Sequence, residues 1–259
     1  MEFLTAMHTD IGIKKNTNQD SALILEADTD FGKILLAVIC DGMGGLAKGE
    51  VASSALITML SNWFENDLPK FLCAPNLQDI IFDSWNNIIQ NANVSIASYG
   101  KRNGVNMGTT IAACLFINDN YYILNVGDSR VYCLSDNVYQ LTKDQTYVQR
   151  EMDEGRMTPQ EAETSPQRNV LLQCVGASQY VVPDFFSGKI QNGQSYIICS
   201  DGFRHIINEQ EIYERLCPNA CIDENIMLKN AVYLTDLNKY RREPCLLYTS
   251  DAADDSLRV

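Results

Sequence analysis

Short apolar runs of strand length recur along the chain between longer stretches whose apolar residues return every three to four positions. The first pattern predicts buried strands and the second predicts helices. Residues 20–26 and 32–40 read as a β-hairpin closed by 27–31. Helices are expected over 50–64 and 77–99, the second carrying apolar Ile80, Ile81, Trp85, Ile88, Ile89 and Ala92. A strand meander follows over 109–117, 121–126 and 129–135, with Asn118-Asp119-Asn120 as its first turn. Residues 145–175 form a polar insertion with helical character from 147 to 162. A further strand pair is expected at 185–190 and 195–199 across Gln191-Asn192-Gly193, and helices over 206–216 and 224–237 close the pattern. Strand pairs with helices segregated before and after them suggest antiparallel sheets in a layered α+β fold.

Two of the apolar runs end alike. Ile34 to Cys40 leads into Asp41-Gly42, and Tyr196 to Ser200 leads into Asp201-Gly202. Each carboxylate would stand where the backbone leaves its sheet, with glycine permitting a sharp exit. Two such strands side by side would aim both carboxylates at one point, and a hard cation such as Mg²⁺ or Mn²⁺ would be the natural guest. Asp-Gly is also a common turn dipeptide; its repetition on matching strands is what favours a metal site.

Composition narrows the class. The 259 residues suit one large domain or two small ones, and 46% hydrophobic with 20% charged content describes a folded globule. No apolar stretch has the length of a membrane span, and Met1-Glu2-Phe3 opens no basic-then-apolar leader, so a cytoplasmic protein with no membrane partner is expected. A net charge of −13 with no basic run argues against nucleic acid. The nine cysteines are odd in number, and Cys40, Cys114, Cys133 and Cys199 fall inside strand-like runs. Buried thiols of a reducing compartment explain them better than disulfides. Cys217 and Cys221 lie four apart without a second pair to complete a zinc site, so packing is their expected role.

From Cys245 the chain changes character. Back-translated, residues 245–255 resemble the transposase adapter used in preparing sequencing libraries. The expected organisation is therefore a domain over 1–244 and a non-native tail over 245–259, with a genuine acidic tail as the alternative.

Several chemistries are excluded. There is no G-x-x-x-x-G-K-[ST] phosphate loop, and no cysteine has an arginine six positions on. Only His8 and His205 exist, and no serine sits in a Gly-x-Ser-x-Gly elbow, which argues against a Ser-His-Asp hydrolase. Gly42-Met43-Gly44-Gly45-Leu46-Ala47 matches the dinucleotide pattern G-x-G-x-x-A. Asp41 would repel a pyrophosphate there, however, and the later meander is not a βαβ alternation.

Taken together, the motifs carry a family resemblance. Thr9-Asp10-Ile11-Gly12 with Lys15 and Asn18-Gln19-Asp20 is similar to the opening motif of the PP2C-type (PPM) metal-dependent Ser/Thr protein phosphatases. Asp41-Gly42-Met43-Gly44-Gly45, Gly108-Thr109-Thr110, Gly127-Asp128-Ser129-Arg130, Leu141-Thr142-Lys143-Asp144, Arg168-Asn169-Val170 and Ser200-Asp201-Gly202 follow in the family's order. The match covers roughly residues 5–243 and most resembles the compact bacterial stand-alone form.

The resemblance implies a four-layer α/β/β/α sandwich of two antiparallel sheets flanked by helices, with two Mn²⁺ or Mg²⁺ ions between the sheet ends. By motif position Asp41 would bridge both metals, the Gly42 carbonyl would bind one, and Asp201 the other. Asp20 would hold a metal-associated water, and Gln19 stands where some relatives carry a ligand Glu. Asp128 matches the residue that, with Asp201, holds a weaker third ion in bacterial members. Outside the resemblance, Asp128 and Arg130 read equally well as a surface ion pair after a turn, and Asp20 as a cap. The implied reaction is hydrolysis of phosphoserine and phosphothreonine in proteins by a monomer, opposed by a Ser/Thr kinase. A phosphomonoester dianion resists attack by water, and two cations can lower the pKa of a bridging water and neutralise the phosphate. The segment 147–168 matches the flap beside the active site in bacterial relatives.

The chain also departs from the family. Lys15 stands where a phosphate-binding Arg is usual, keeping the charge but losing the bidentate fork. The histidine often found after Leu-Thr-x-Asp is Gln145, and Ser165-Pro166 replaces the usual His-Pro. A histidine general acid cannot be carried over, so a water held by the metals would have to protonate the leaving alkoxide. The Asp-Asn pair that opens the family's final strand is missing after Leu237 to Pro244, which predicts the loss of one metal carboxylate and one core strand. A pseudophosphatase that binds phosphoproteins without turning them over is the alternative function.

Overall fold

The hairpin read from the sequence forms the edge of a larger sheet. In the computed structural model, which describes residues 2–13, 17–44, 48–204 and 206–242, β1 (Ser21–Thr29) pairs with β2 (Gly32–Cys40) in antiparallel register from Ser21↔Cys40 to Thr29↔Gly32. The loop is only Asp30-Phe31: the Thr29 hydroxyl donates to Gly32 O at 2.7 Å, and Gly32 takes φ +101°. The strands therefore run past the polar residues that were expected to form the turn.

The remaining elements follow in order: β3 (Gly42–Gly44), α1 (Gly49–Asn66), α2 (Leu77–Asn103), β4 (Met107–Thr109), β5 (Ile111–Ile117), β6 (Asn120–Val126), β7 (Arg130–Leu134) and β8 (Val138–Gln140). After them come α3 (Tyr147–Asp153), α4 (Pro159–Thr164), β9 (Asp184–Lys189), β10 (Ser195–Cys199), α5 (Asp201–Arg204), α6 (Glu209–Leu216) and α7 (Glu224–Arg242). Short 3₁₀ turns lie at Leu68–Phe71 and Pro218–Ala220. No helix among the described residues is long and apolar enough to cross a membrane.

One sheet has the order β1-β2-β5-β6-β9, a second has β10-β7-β8, and β3 and β4 form a small ribbon. Alternation along the strands divides their side chains between layers. Ile34, Leu36 and Val38 of β2 and Ile111, Ala113, Leu115 and Ile117 of β5 pack with α1 and α2 residues such as Leu56, Leu60, Trp63, Trp85 and Ile89. Leu35 and Ala37, with Ala112, Cys114 and Phe116, face the other way and meet Val131, Tyr196 and Ile198 of the second sheet. Tyr132 and Leu134 of β7 and Cys199 of β10 turn outward against Ile212, Leu216 and Leu234 of α6 and α7. Three apolar interfaces separate four layers, the α/β/β/α arrangement expected from the resemblance.

Two features of the sequence reading are corrected. The strands read as a pair across Gln191-Asn192-Gly193 do not pair: β9 bonds to β6 and β10 to β7. Both turn a face to the layer between the sheets, through Phe186 on one side and Tyr196 and Ile198 on the other, so they oppose each other across that layer. For the same reason the two strands ending in Asp-Gly are not neighbours; β2 and β10 lie in different sheets. An apolar run has the same composition whether its partner is beside it or across a core, so periodicity does not separate the two arrangements.

Other differences are local. β8, only three residues long, closes a hairpin on β7 with Leu134↔Val138. The insertion is two short helices rather than one, because Gly155 breaks α3 at φ +70° and Thr158 starts α4 with a capping box to Glu161. Cys40, Cys114, Cys133, Cys174, Cys199 and Cys221 are buried free thiols, as expected of packing residues. The residues read as a foreign tail, 245–259, lie outside the described residues.

Candidate active site

Asp41 ends β2, and backbone bonds fix its position. Its N–H donates to Thr110 Oγ1 (3.2 Å), and its carbonyl accepts from Thr110 N (2.9 Å) and Thr109 Oγ1 (3.0 Å). Thr110 Oγ1 in turn shares a 2.8 Å bond with Ser129 Oγ. The motifs Gly108-Thr109-Thr110 and Asp128-Ser129-Arg130 thus act through buried hydroxyls as a clamp behind Asp41, which gives a physical reason for threonine at both positions.

Gly42 serves a different purpose from the one its sequence context suggests. Its φ is not in the left-handed region; instead a Cβ there would run into Gly49 O and Gln19 O, well inside van der Waals contact. Gly42 N donates to Gln19 O at 3.2 Å, and the same carbonyl accepts from Ser53 Oγ of α1 at 2.7 Å. The close approach draws the segment before β1 against the start of α1, which sets Asp20 beside Asp41. Asp20 N donates to Asn18 Oδ1 (3.1 Å), and Ser200 Oγ donates to Asp20 Oδ2 (3.0 Å). Burial pushes the Cys40 thiol well up, and the charges of Asp20 and Asp41 push it further.

Asp201 begins α5 instead of leaving its strand by a turn. Asn238 of α7, itself buried, donates to the carbonyls of Gly202 and Phe203 and pins this turn. Among the described residues nothing lies within 4 Å of a Cβ built on Gly202, so the second Asp-Gly lacks the close approach that fixes the first.

Asp20, Asp41, Asp128 and Asp201 line one cleft, with Asn18, Gln19, Thr110 and Arg168. Among the described residues, no three His, Cys, Asp or Glu side chains close into a compact ligand cluster. The donor set offered by Asp20, Asp41 and Asp201 consists of oxygens from three separate chain segments, the chemistry that Mg²⁺ or Mn²⁺ takes when it also retains water. These residues fit such an ion. Lys15 and Gly45, both singled out by the sequence, lie outside the described residues.

Asp128 occupies a different environment. Gly127 precedes it at φ +100°, where a Cβ would lie 2.6 Å from Thr110 Cγ2. Gln145 holds this turn: its Oε1 accepts from Gly127 N (2.8 Å) and its Nε2 donates to Asp184 Oδ2 (2.8 Å). The residue at the family's histidine position is thus a buried structural link. Arg130 does not pair with Asp128. Its guanidinium forks onto Asp144, Nε to Oδ1 and Nη2 to Oδ2 both at 2.7 Å, while Arg204 reaches Asp128 Oδ2 at 3.2 Å and Asp144 Oδ2 at 3.3 Å. Burial, and then repulsion from Asp201, raise the Asp128 pKa to about 7 against the pull of Arg204. The surface ion pair weighed for Asp128 and Arg130 is therefore a buried network with different pairings. Arg204 and the bridging role of Asp144 were missed by sequence reasoning; the one available signal was a cation two residues after Asp201-Gly202 in an acidic chain.

Asp144 joins two mostly buried guanidiniums. Asp144→Ala is expected to cost about 3–5 kcal/mol of folding stability, because the Arg130 guanidinium loses its forked counter-charge and Arg204 keeps only Asp128. A fall in urea midpoint at unchanged slope measures it; a loss below about 1 kcal/mol would contradict the network.

The insertion borders the same cleft through Thr164, Ser165, Pro166, Arg168, Asn169, Val170 and Leu171. Arg156 fastens its first helix by a fork onto Glu151, both bonds 2.7 Å.

Comparison with known proteins agrees with this fold. The family model described as Protein phosphatase 2C matches residues 12–223. The chain is 32% identical over 222 residues to a putative protein phosphatase 2C-type from Streptococcus pyogenes, covering 85% of this chain and 86% of that one. Serine/threonine phosphatase Stp1 from Staphylococcus aureus superposes with a TM-score of 0.75 at 31% identity, over 92% of this chain and 89% of that one. The catalytic domain of the serine threonine protein phosphatase PstP, solved in complex with two manganese ions, gives 0.70 at 28% identity over 90% of each chain.

Proposed function

The chain belongs to the protein phosphatase 2C family, and from that premise we propose that it hydrolyses phosphoserine and phosphothreonine in proteins with two divalent cations, Mn²⁺ or Mg²⁺, at the Asp20–Asp41–Asp201 cleft. The observation that carries this reading is that these three carboxylates, from three chain segments, line one cleft. Asp41, the Gly42 carbonyl and Asp201 would hold the ions, and Asp20 would orient a water beside them. Bound there, the ions supply Lewis acidity that lowers the pKa of water and neutralises phosphate charge.

The protein's own contribution is preorganisation. The Thr109–Thr110 clamp fixes the Asp41 backbone and with it the point from which the carboxylate extends. The Ser200 hydroxyl, at 3.0 Å from Asp20 Oδ2, selects one rotamer of that side chain. Asn238 holds the carbonyl of Gly202 and with it the Asp201 turn. With Gln145 at the position where a histidine is often found, solvent protonates the leaving alkoxide.

Lys15 captures the phosphate. Lys15→Arg is expected to lower KM for a phosphopeptide about 3- to 10-fold by adding a charge-assisted hydrogen bond; initial rates give the value, and an unchanged KM contradicts the role.

The substrates are phosphoproteins of a bacterial cytoplasm, the opposing partner is a Ser/Thr kinase, and the enzyme works as a monomer; a net charge of −13 supports protein over nucleic-acid partners. The segment 147–168 borders the cleft and selects among substrates. β10 carries no second neighbour among the described residues, and its Tyr196 and Ile198 line the cleft together with Phe3. This supports the reading that one more strand completes the smaller sheet.

The test is hydrolysis of a phosphothreonine peptide by the protein as encoded at its source locus. Turnover that requires Mn²⁺ or Mg²⁺ supports the proposal. Metal binding without turnover overturns it.

A further inference from the structure

Among the aspartates proposed around the metal site, Asp128 is held by a cation of the chain itself. Arg204 Nη2 stands 3.1 Å from Asp128 O, 3.2 Å from Asp128 Oδ2 and 3.3 Å from Asp144 Oδ2. The two side chains of the closer ion pair are 13% and 10% exposed, so water screens their attraction little. Arg204 Nε is buried without a hydrogen-bond partner. An orphaned donor is costly, and the guanidinium stays because charge holds it there. The charges around it explain why. Asp128, Asp144 and Asp201 bring three carboxylates together, and Asp144 is already forked by Arg130. One further cation is needed beside Asp128.

We propose that the Arg204 guanidinium is the internal counter-ion of Asp128, occupying the place that an additional divalent cation would otherwise take beside Asp128 and Asp201. Arg204 touches no reacting atom on this account; it is a positioning residue that leaves Asp128 as an ion-pair anchor and not as a metal ligand. A guanidinium suits the role because it is always protonated and less strongly hydrated than an ammonium or a divalent ion. Its origin on α5, three residues after Asp201, ties the counter-ion to the same turn that carries a proposed metal ligand. The chain is then built for two exchangeable ions with its third cation covalently attached.

The inference rests on the two-ion reading above, and metal stoichiometry separates the failure of one from the failure of the other. Equilibrium dialysis against graded free Mn²⁺, followed by metal analysis, is run on the parent, Arg204→Met, Arg204→Lys and Asp128→Asn. Arg204→Met is expected to bind one more ion per chain than the parent, with weak affinity. Arg204→Lys, which keeps the charge, is expected to match the parent. Asp128→Asn is expected to leave the parent's stoichiometry unchanged, and it decides the matter even where Arg204→Met does not fold. Loss of one ion in Asp128→Asn, or no gain in a folded Arg204→Met, overturns the inference. A parent that binds no Mn²⁺ contradicts the two-ion reading itself, while a gain of one ion in Arg204→Met still supports the role of Arg204.

Discussion

Asp41→Asn is expected to lower kcat for phosphopeptide hydrolysis by at least about 10³-fold, beyond the roughly 10–100-fold that losses in the surrounding shell of a metal site cost. The substitution keeps the size of the side chain and every backbone bond of the Thr109–Thr110 clamp. It removes the negative charge that a bridging role requires. Unfolding curves for parent and variant in the absence of metal check that folding survives. Steady-state rates at saturating Mn²⁺ measure the effect. A fall smaller than about tenfold would show that Asp41 is not shared between ions.

Gly42→Ala is expected to be the most disruptive of the small substitutions, costing about 3 kcal/mol or more, at or above the usual range for overpacking. The added Cβ meets two backbone carbonyls, Gly49 O and Gln19 O, and backbone cannot swing aside as a flexible side chain can. Relieving the clash means separating the segment before β1 from the start of α1. That breaks the Gly42–Gln19 bond and moves Asp20 away from Asp41, so activity should fall with stability. The matching substitution in the other copy is the control. Gly202→Ala meets nothing within 4 Å among the described residues and lies in α5, so a stability change within about 0.5 kcal/mol is expected. Urea unfolding of both variants checks the contrast; equal effects would mean that the two Asp-Gly pairs serve one structural purpose after all.

That contrast also marks how far the sequence could be read. Apolar runs at 34–40 and 111–117 located their strands because alternation and burial coincide there. The ordered motifs located the carboxylates because each sits at the end of such a run. Which strands pair was not legible: β9 and β10 are adjacent in sequence and equally apolar, yet each joins a different sheet. The reason for Gly42 was also hidden, since a close approach between distant segments leaves no local trace, whereas a positive φ usually comes with turn residues. Arg204 shows the same limit. Its value comes from Asp128 and Asp144, more than fifty positions away, and no spacing rule joins them. Gln145 was read as a lost general acid, and only its bonds to Gly127 and Asp184 reveal a structural brace.

The measurement closest to the central claim is turnover of a phosphothreonine peptide, followed by phosphate release, as metal is removed and restored. The protein as encoded at its source locus should be inactive after chelation and should regain activity when Mn²⁺ is added. Metal-independent hydrolysis, or tight peptide and Mn²⁺ binding with no phosphate released, would contradict it.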